Sequence, residues 1–109
     1  MKSGFVYIVG NQSKSTLYTG VTSDLIKRVW EHKNKVNPDS FTSKYNLSYL
    51  YYYKHFEIIQ HAILEEKRIK GGSRDDKELL VISINPEWND LYLEIASSAP
   101  KSEHPRNDR

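Results

Sequence analysis

The sequence predicts an α+β domain: a small three-stranded antiparallel sheet flanked by helices, in the order β-β-α-β-α-α. Three observations carry this. Two short runs rich in β-branched and aromatic residues are joined by a stretch of turn residues, the pattern of a hairpin. A capped amphipathic segment and a tyrosine-rich strand pattern come next. Two further helical segments, divided by Gly71-Gly72, precede a polar end.

Gly4 to Val9 (GFVYIV) and Thr16 to Val21 (TLYTGV) supply the hairpin strands, and Gly10 to Ser15 (GNQSKS) is turn chemistry throughout. Thr22-Ser23-Asp24 is an N-cap cluster for a helix beginning at Leu25, on which Leu25, Ile26, Val29 and Trp30 share one face. Pro38 stops that segment by residue 37. Leu47 to Lys54 (LSYLYYYK) is the third strand, and each of its three consecutive tyrosines needs a partner or water for its phenol. A second helix runs from about Glu57 to Lys70 and stops at Gly71-Gly72. Arg74 to Ile84 reads as a third helix with Asp75 and Asp76 at its positive end, although its Leu80-Val81-Ile82 centre also suits a strand. Asn85-Pro86 breaks it, and Glu87 to Tyr92 forms a closing turn. Residues 1–94 are expected to form one unit and 95–109 a flexible tail, with no apolar residue after Ala99.

Composition narrows the function classes. At 109 residues and 38% apolar the chain is one domain with its own core. No apolar stretch approaches the ~20 residues of a membrane span, and the N-terminus lacks a signal-peptide pattern, so a cytoplasmic location without membrane contact is expected. The absence of cysteine excludes disulfides, cysteine-based zinc sites and thiol nucleophiles. No GxSxG, HExxH or GxxxxGK[ST] is present, so nothing argues for a serine hydrolase, a zincin or a P-loop enzyme. Residues 1–74 hold 12 basic and 6 acidic side chains, whereas residues 75–94 hold one lysine against six acids. A basic body with an acidic flank suits a polyanion on one surface.

Four features stand out against their elements. On the second helix, with Ile58 at 0°, the apolar stripe centres near 60° and Glu66 falls at about 80°, inside it; Glu65 falls near 340°, on its edge. A carboxylate there needs a cationic partner, a metal ion or a cleft wall. On the first helix Arg28 and His32 lie one turn apart on the polar flank, where a guanidinium fork and an imidazole could face a phosphate. Tyr7 and Tyr18 sit centrally in the hairpin strands and share a sheet face if the register suits. His55 and His61 have no ligand spacing and read as surface residues.

Taken in order, Phe5-Val6-Tyr7, Leu17 to Thr22, Asp24-Leu25 with Arg28 and His32, Ala62 with Glu66, Lys67 and Lys70, and Asn85-Pro86-Glu87-Trp88 strongly resemble the GIY-YIG nuclease superfamily. The likeness covers about residues 4–91 and is nearest to small single-domain proteins similar to the N-terminal nuclease domain of an excinuclease. Tyr7 and Tyr18 match the tyrosines of the two half-motifs, here Phe-Val-Tyr and Tyr-Thr-Gly. Arg28 matches the family's helix arginine, His32 the His/Tyr one turn later, and Glu66 the acid that holds one divalent cation, Mg²⁺ or Mn²⁺. Asn85 is a candidate for the asparagine that the family often places after the metal-binding helix.

The resemblance implies a metal-dependent endonuclease that hydrolyses DNA phosphodiesters, in DNA repair or processing, targeted by a separate domain or protein partner. Tyr7 would be the general base, with Tyr18 supporting it or sharing the role, Arg28 the phosphate electrophile, and His32 the proton shuttle or leaving-group contact. Lys27, Lys33, Lys35, Lys67 and Lys70 would line the backbone-binding surface, with strongly salt-dependent contacts. Two other readings stay open: a nucleic-acid-binding module that keeps the scaffold without the chemistry, and an adaptor docking a protein through Tyr49–Tyr53 and the acidic 75–94 segment.

Overall fold

A computed structural model describes residues 2–97. The chain forms strands β1 (Gly4–Gly10) and β2 (Leu17–Thr22), helix α1 (Leu25–Lys33), a one-turn helix α2 (Phe41–Lys44), strand β3 (Tyr49–Phe56), and helices α3 (Ile59–Lys70), α4 (Arg74–Ile84) and α5 (Tyr92–Ser97). The three strands make one antiparallel sheet in the order β2-β1-β3.

Alternation along β1 divides the core. Tyr7 and Val9 pack with Leu25 and Val29 of α1, Leu91, and Ile95 of α5. Val6 and Ile8 point the other way, onto Ile69 of α3 and Val81 of α4. Burial of these aliphatic side chains, each worth roughly 1.5–3 kcal/mol, is what holds helices to both faces.

The tyrosine run is resolved by a bulge. Ile8 pairs with Tyr52 and Val9 with Leu50, so Tyr51 is the extra residue. Tyr51 and Tyr52 therefore both enter the α3/α4 side of the core, while Tyr53 turns to the other face. Tyr51 is 1% exposed, donates to the Asn11 carbonyl at 2.7 Å and meets Trp88 edge-on at 5.2 Å. With Tyr51 and Tyr52 in the core, this segment is not the exposed tyrosine surface that an adaptor would need.

Local signals set the boundaries. Asp24 caps α1 by accepting from Lys27 N, and Ser73 with Asp76 forms a reciprocal capping box on α4. The Leu80-Val81-Ile82 centre of α4 is helical. Helix α1 ends at Lys33, before Pro38 is reached, and Trp30 is half exposed rather than part of the core stripe. Ile63 of α3 is likewise exposed, because the stripe on that helix narrows to Ala62 and Ile69. Two elements go beyond the expected order. Helix α2 is capped by Ser40, which accepts from Ser43 N. Helix α5 extends the closing turn, and its Ile95 is buried. The packed unit therefore reaches past residue 94; of the expected tail, 98–109 lie outside the described residues.

Asp90 ties the C-terminal segment to the sheet. One of its oxygens accepts from Leu50 N and Tyr92 N, and the other meets Lys33 Nζ at 2.5 Å. Lys33 also donates to the Ser48 carbonyl and lies over the rings of Tyr49 and Tyr92. Its pattern in the sequence suits the nucleic-acid surface, yet its ammonium is committed to a half-buried structural network. His55 and His61 are exposed.

Candidate active site

The register of the hairpin builds the floor of a cleft. Tyr7 pairs with Gly20 and Val9 with Tyr18, so both tyrosines rise from the same face. A Cβ on Gly20 would stand 2.5 Å from the Tyr7 hydroxyl and 2.6 Å from Cζ. Gly20 has an ordinary negative φ, so glycine is required here for space: the phenol lies directly on the backbone of β2.

Helix α1 forms one wall. Its N-cap at Asp24 fixes the phase of the helix, and residues 28 and 32, one turn apart, face the cleft together. His32 Nε2 lies 3.0 Å from the Tyr7 hydroxyl, and Nδ1 lies 3.1 Å from Thr42 Oγ1. Thr42 is buried on α2 and shares a contact with Ser40 Oγ at 3.2 Å. Arg28 pairs with Glu31 at 3.3 Å and remains substantially exposed.

Glu66 arrives from α3, the helix on the far layer, and lines the same cleft. Its carboxylate is 19% exposed and pairs with Lys70 one turn on at 3.0 Å; that ammonium also sits 5.6 Å above the Tyr18 ring. Glu65, placed at the stripe's edge by the helical wheel, is about as sheltered but turns to Arg68 in a two-point pair at 2.6 and 2.8 Å. The cleft encloses about 260 Å³ and brings together Tyr7, Tyr18, Arg28, His32 and Glu66.

Burial governs the proton states. It pushes the Tyr7 phenol well above its ordinary value; the Tyr18 phenol adds to this, and the Arg28 guanidinium opposes it. The same burial pushes His32 down to about 4, with Arg28 acting in the same direction and Glu31 against it. At neutral pH the pair is thus a neutral phenol and a neutral imidazole. A neutral imidazole has one donor and one acceptor nitrogen. The tautomer in which Nδ1–H donates to Thr42 Oγ1 leaves Nε2 to accept from the phenol, and the other tautomer reverses both bonds.

Other expected residues fall elsewhere. Asn85 is buried, but its side chain donates to the Tyr51 and Asn89 carbonyls and accepts from Asn89 N; it braces the turn after α4 and does not line the cleft. Lys35 donates to Asn46 Oδ1 at 2.6 Å. Lys27 and Lys67 are exposed, and their ammonium groups meet no carboxylate among the described residues. Sequence reasoning did not single out Ser40, Phe41, Thr42 or Glu31, all of which line the cleft. The one readable signal was the cap pattern of Ser40 and Ser43, which marks a short turn but not where that turn docks.

A hydrogen-bonded Tyr–His pair, an arginine and a lone carboxylate thus share one cleft. The family model of the GIY-YIG catalytic domain matches residues 3–80, and the chain belongs to that family, a family of nucleases. A solved structure with detectable likeness is the solution NMR structure of the UPF0213 protein BH0048 from Bacillus halodurans. It is 22% identical, the match covers 90% of this chain and 99% of that one, and the TM-score is 0.47. No curated protein matches the chain.

Nucleases of this family generally depend on a divalent cation. The residues at hand fit one. Among the described residues no three His, Asp or Glu side chains cluster as a full ligand set. Mg²⁺, however, keeps most of its waters and is commonly held by one or two carboxylates plus substrate phosphate oxygens. Glu66 supplies one such carboxylate in the cleft. Lys70, which now pairs with it, is half exposed, so displacing that ammonium costs about 1 kcal/mol or less.

Proposed function

We propose that the protein is a divalent-metal-dependent endonuclease that hydrolyses DNA phosphodiesters in DNA repair or processing, inside the cell. The observation that carries the reading is the chain Tyr7–His32–Thr42 beside Arg28 and Glu66 in one open cleft.

Tyr7 is the general base acting on the attacking water. A free phenolate is disfavoured by burial, so the phenol must lose its own proton as it receives one. His32 Nε2, 3.0 Å away and unprotonated at neutral pH, accepts it. This relay uses the tautomer in which Nδ1–H donates to Thr42 Oγ1, 3.1 Å away, so that Nε2 is free to accept. Arg28 binds the non-bridging phosphate oxygens, where its guanidinium stabilises the charge that develops during displacement. Swinging from Glu31 onto phosphate replaces one exposed ion pair by a stronger charge-assisted contact. Tyr18, on the same sheet face, flanks the nucleophile's approach. Glu66 would hold the cation, which when bound supplies Lewis-acid stabilisation of phosphate charge.

The test is nicking of supercoiled plasmid with Mg²⁺ or Mn²⁺. Wild type should nick and EDTA should stop it, while Arg28→Ala and Glu66→Gln should lower the rate at least 100-fold and remain folded. Wild-type rates in Glu66→Gln would remove the metal role.

The Lys70–Glu66 pair favours one competing reading, a DNA-binding module in which the ammonium permanently takes the cation's place. DNA binding that is unaffected by EDTA, without nicking, would select it.

A further inference from the structure

The cleft has an aromatic exit that the chemistry above does not use. Phe41 lines the cleft yet is 50% exposed. Its ring stands 6.3 Å from that of Tyr18 on one side and 4.7 Å from that of Tyr45 on the other, and Tyr45 is 52% exposed. Three rings thus step from the floor of the site to solvent. The middle one is held firmly, because α2 is anchored by its buried neighbours Thr42 and Ser43 and capped by Ser40. Leaving a phenylalanine half in water forgoes burial that the core would otherwise gain. Leu79 and Leu93 are exposed too, but neither borders the cleft.

We propose that Phe41, backed by Tyr45, is a stacking platform for an unpaired base next to the scissile phosphate, so that the substrate is DNA with single-stranded or extruded nucleotides at the cut. The inference rests on the nuclease reading for the position of the phosphate. Basic groups stand around it: Arg28 in the cleft and Lys70 over Tyr18, each paired with a glutamate that phosphate would displace, and Lys44, exposed on α2 itself. An aromatic face can stack only on a base whose own face is free. Inside a duplex both faces are covered by neighbours, so a ring beside the phosphate selects nucleotides that have left the helix. Stacking is also indifferent to base identity, so the platform predicts preference for structure rather than sequence.

The experiment uses a single strand of about 12 nucleotides, within the span such proteins cover, and a matching duplex, each with one 2-aminopurine, measured with the whole chain in EDTA so that no cleavage intervenes. Wild type should bind the single strand more tightly than the duplex and quench its fluorescence. Phe41→Ala should weaken single-strand binding by about 5- to 100-fold and abolish the quench, and Phe41→Trp should restore both. Equal quenching by wild type and Phe41→Ala, or no preference for the single strand, overturns the platform even if the protein nicks plasmid. Phe41-dependent quenching in a protein that nicks nothing keeps the stacking ring but sinks the nuclease reading, and with it the placement beside a scissile phosphate. Circular dichroism of each variant separates loss of binding from loss of fold.

Discussion

Gly20→Ala tests the packing of the cleft floor with one methyl group. The added Cβ would sit 2.5–2.6 Å from the hydroxyl end of Tyr7, whereas ordinary contact begins near 3.4 Å, so the ring must retreat by about 0.8 Å. Tyr7 is 2% exposed and wedged against Val9, Leu25 and Val29, so little room receives it. Overpacking of this kind costs about 1–3 kcal/mol. The backbone itself is not strained by alanine, because φ at Gly20 is negative. The retreat also displaces the phenol from its 3.0 Å contact with His32, and a misplacement near 1 Å in a reacting group lowers a rate about 100-fold. Urea unfolding reads the first effect, plasmid nicking the second, and the imidazole ¹⁵N shifts of His32 report the broken bond directly. A Gly20→Ala protein with wild-type stability and unchanged His32 shifts would refute the close approach from which the site is built.

Three further outcomes are expected. Thr19 is 2% exposed and its hydroxyl meets no partner among the described residues, so Thr19→Val should raise urea stability by about 1 kcal/mol; a loss would mean the hydroxyl is bonded. Asp90→Ala removes acceptors from Leu50 N, Tyr92 N and Lys33 together and should cost about 2–3 kcal/mol in the same measurement, whereas a change below about 0.5 kcal/mol would show the network to be incidental. His32 titrates at about 4 in the fold against ~6.5 in the unfolded chain. Between those values the unfolded state binds the extra proton, so this group erodes stability as pH falls from about 6.5 to about 4 and has no such effect above that window. His32→Gln should show a shallower decline than wild type there; identical slopes would mean that the imidazole is not held neutral.

The hairpin, the capped first helix, the strand that follows and the two long helices are all legible in the chain itself, because each is written in local chemistry: turn residues, caps and apolar spacing. Tyr7, Tyr18, Arg28, His32 and Glu66 are legible too, through helix phase and strand position together with the order of the family's motifs. The same reasoning placed Lys33 on the nucleic-acid surface and Trp30 on the apolar face of the first helix, where it is half exposed. It also left the tyrosine run unexplained. What happens to those residues depends on non-local partners: Asp90 is 57 positions from Lys33, and the bulge at Tyr51 exists only in the pairing with β1. Three-dimensional packing alone brings Glu66 from the opposite layer to the cleft and makes Gly20 the space for a phenol. It also lets a four-residue helix, invisible to periodicity, orient His32 through Thr42. One turn of helix has no repeat to read, and its effect comes from where it docks.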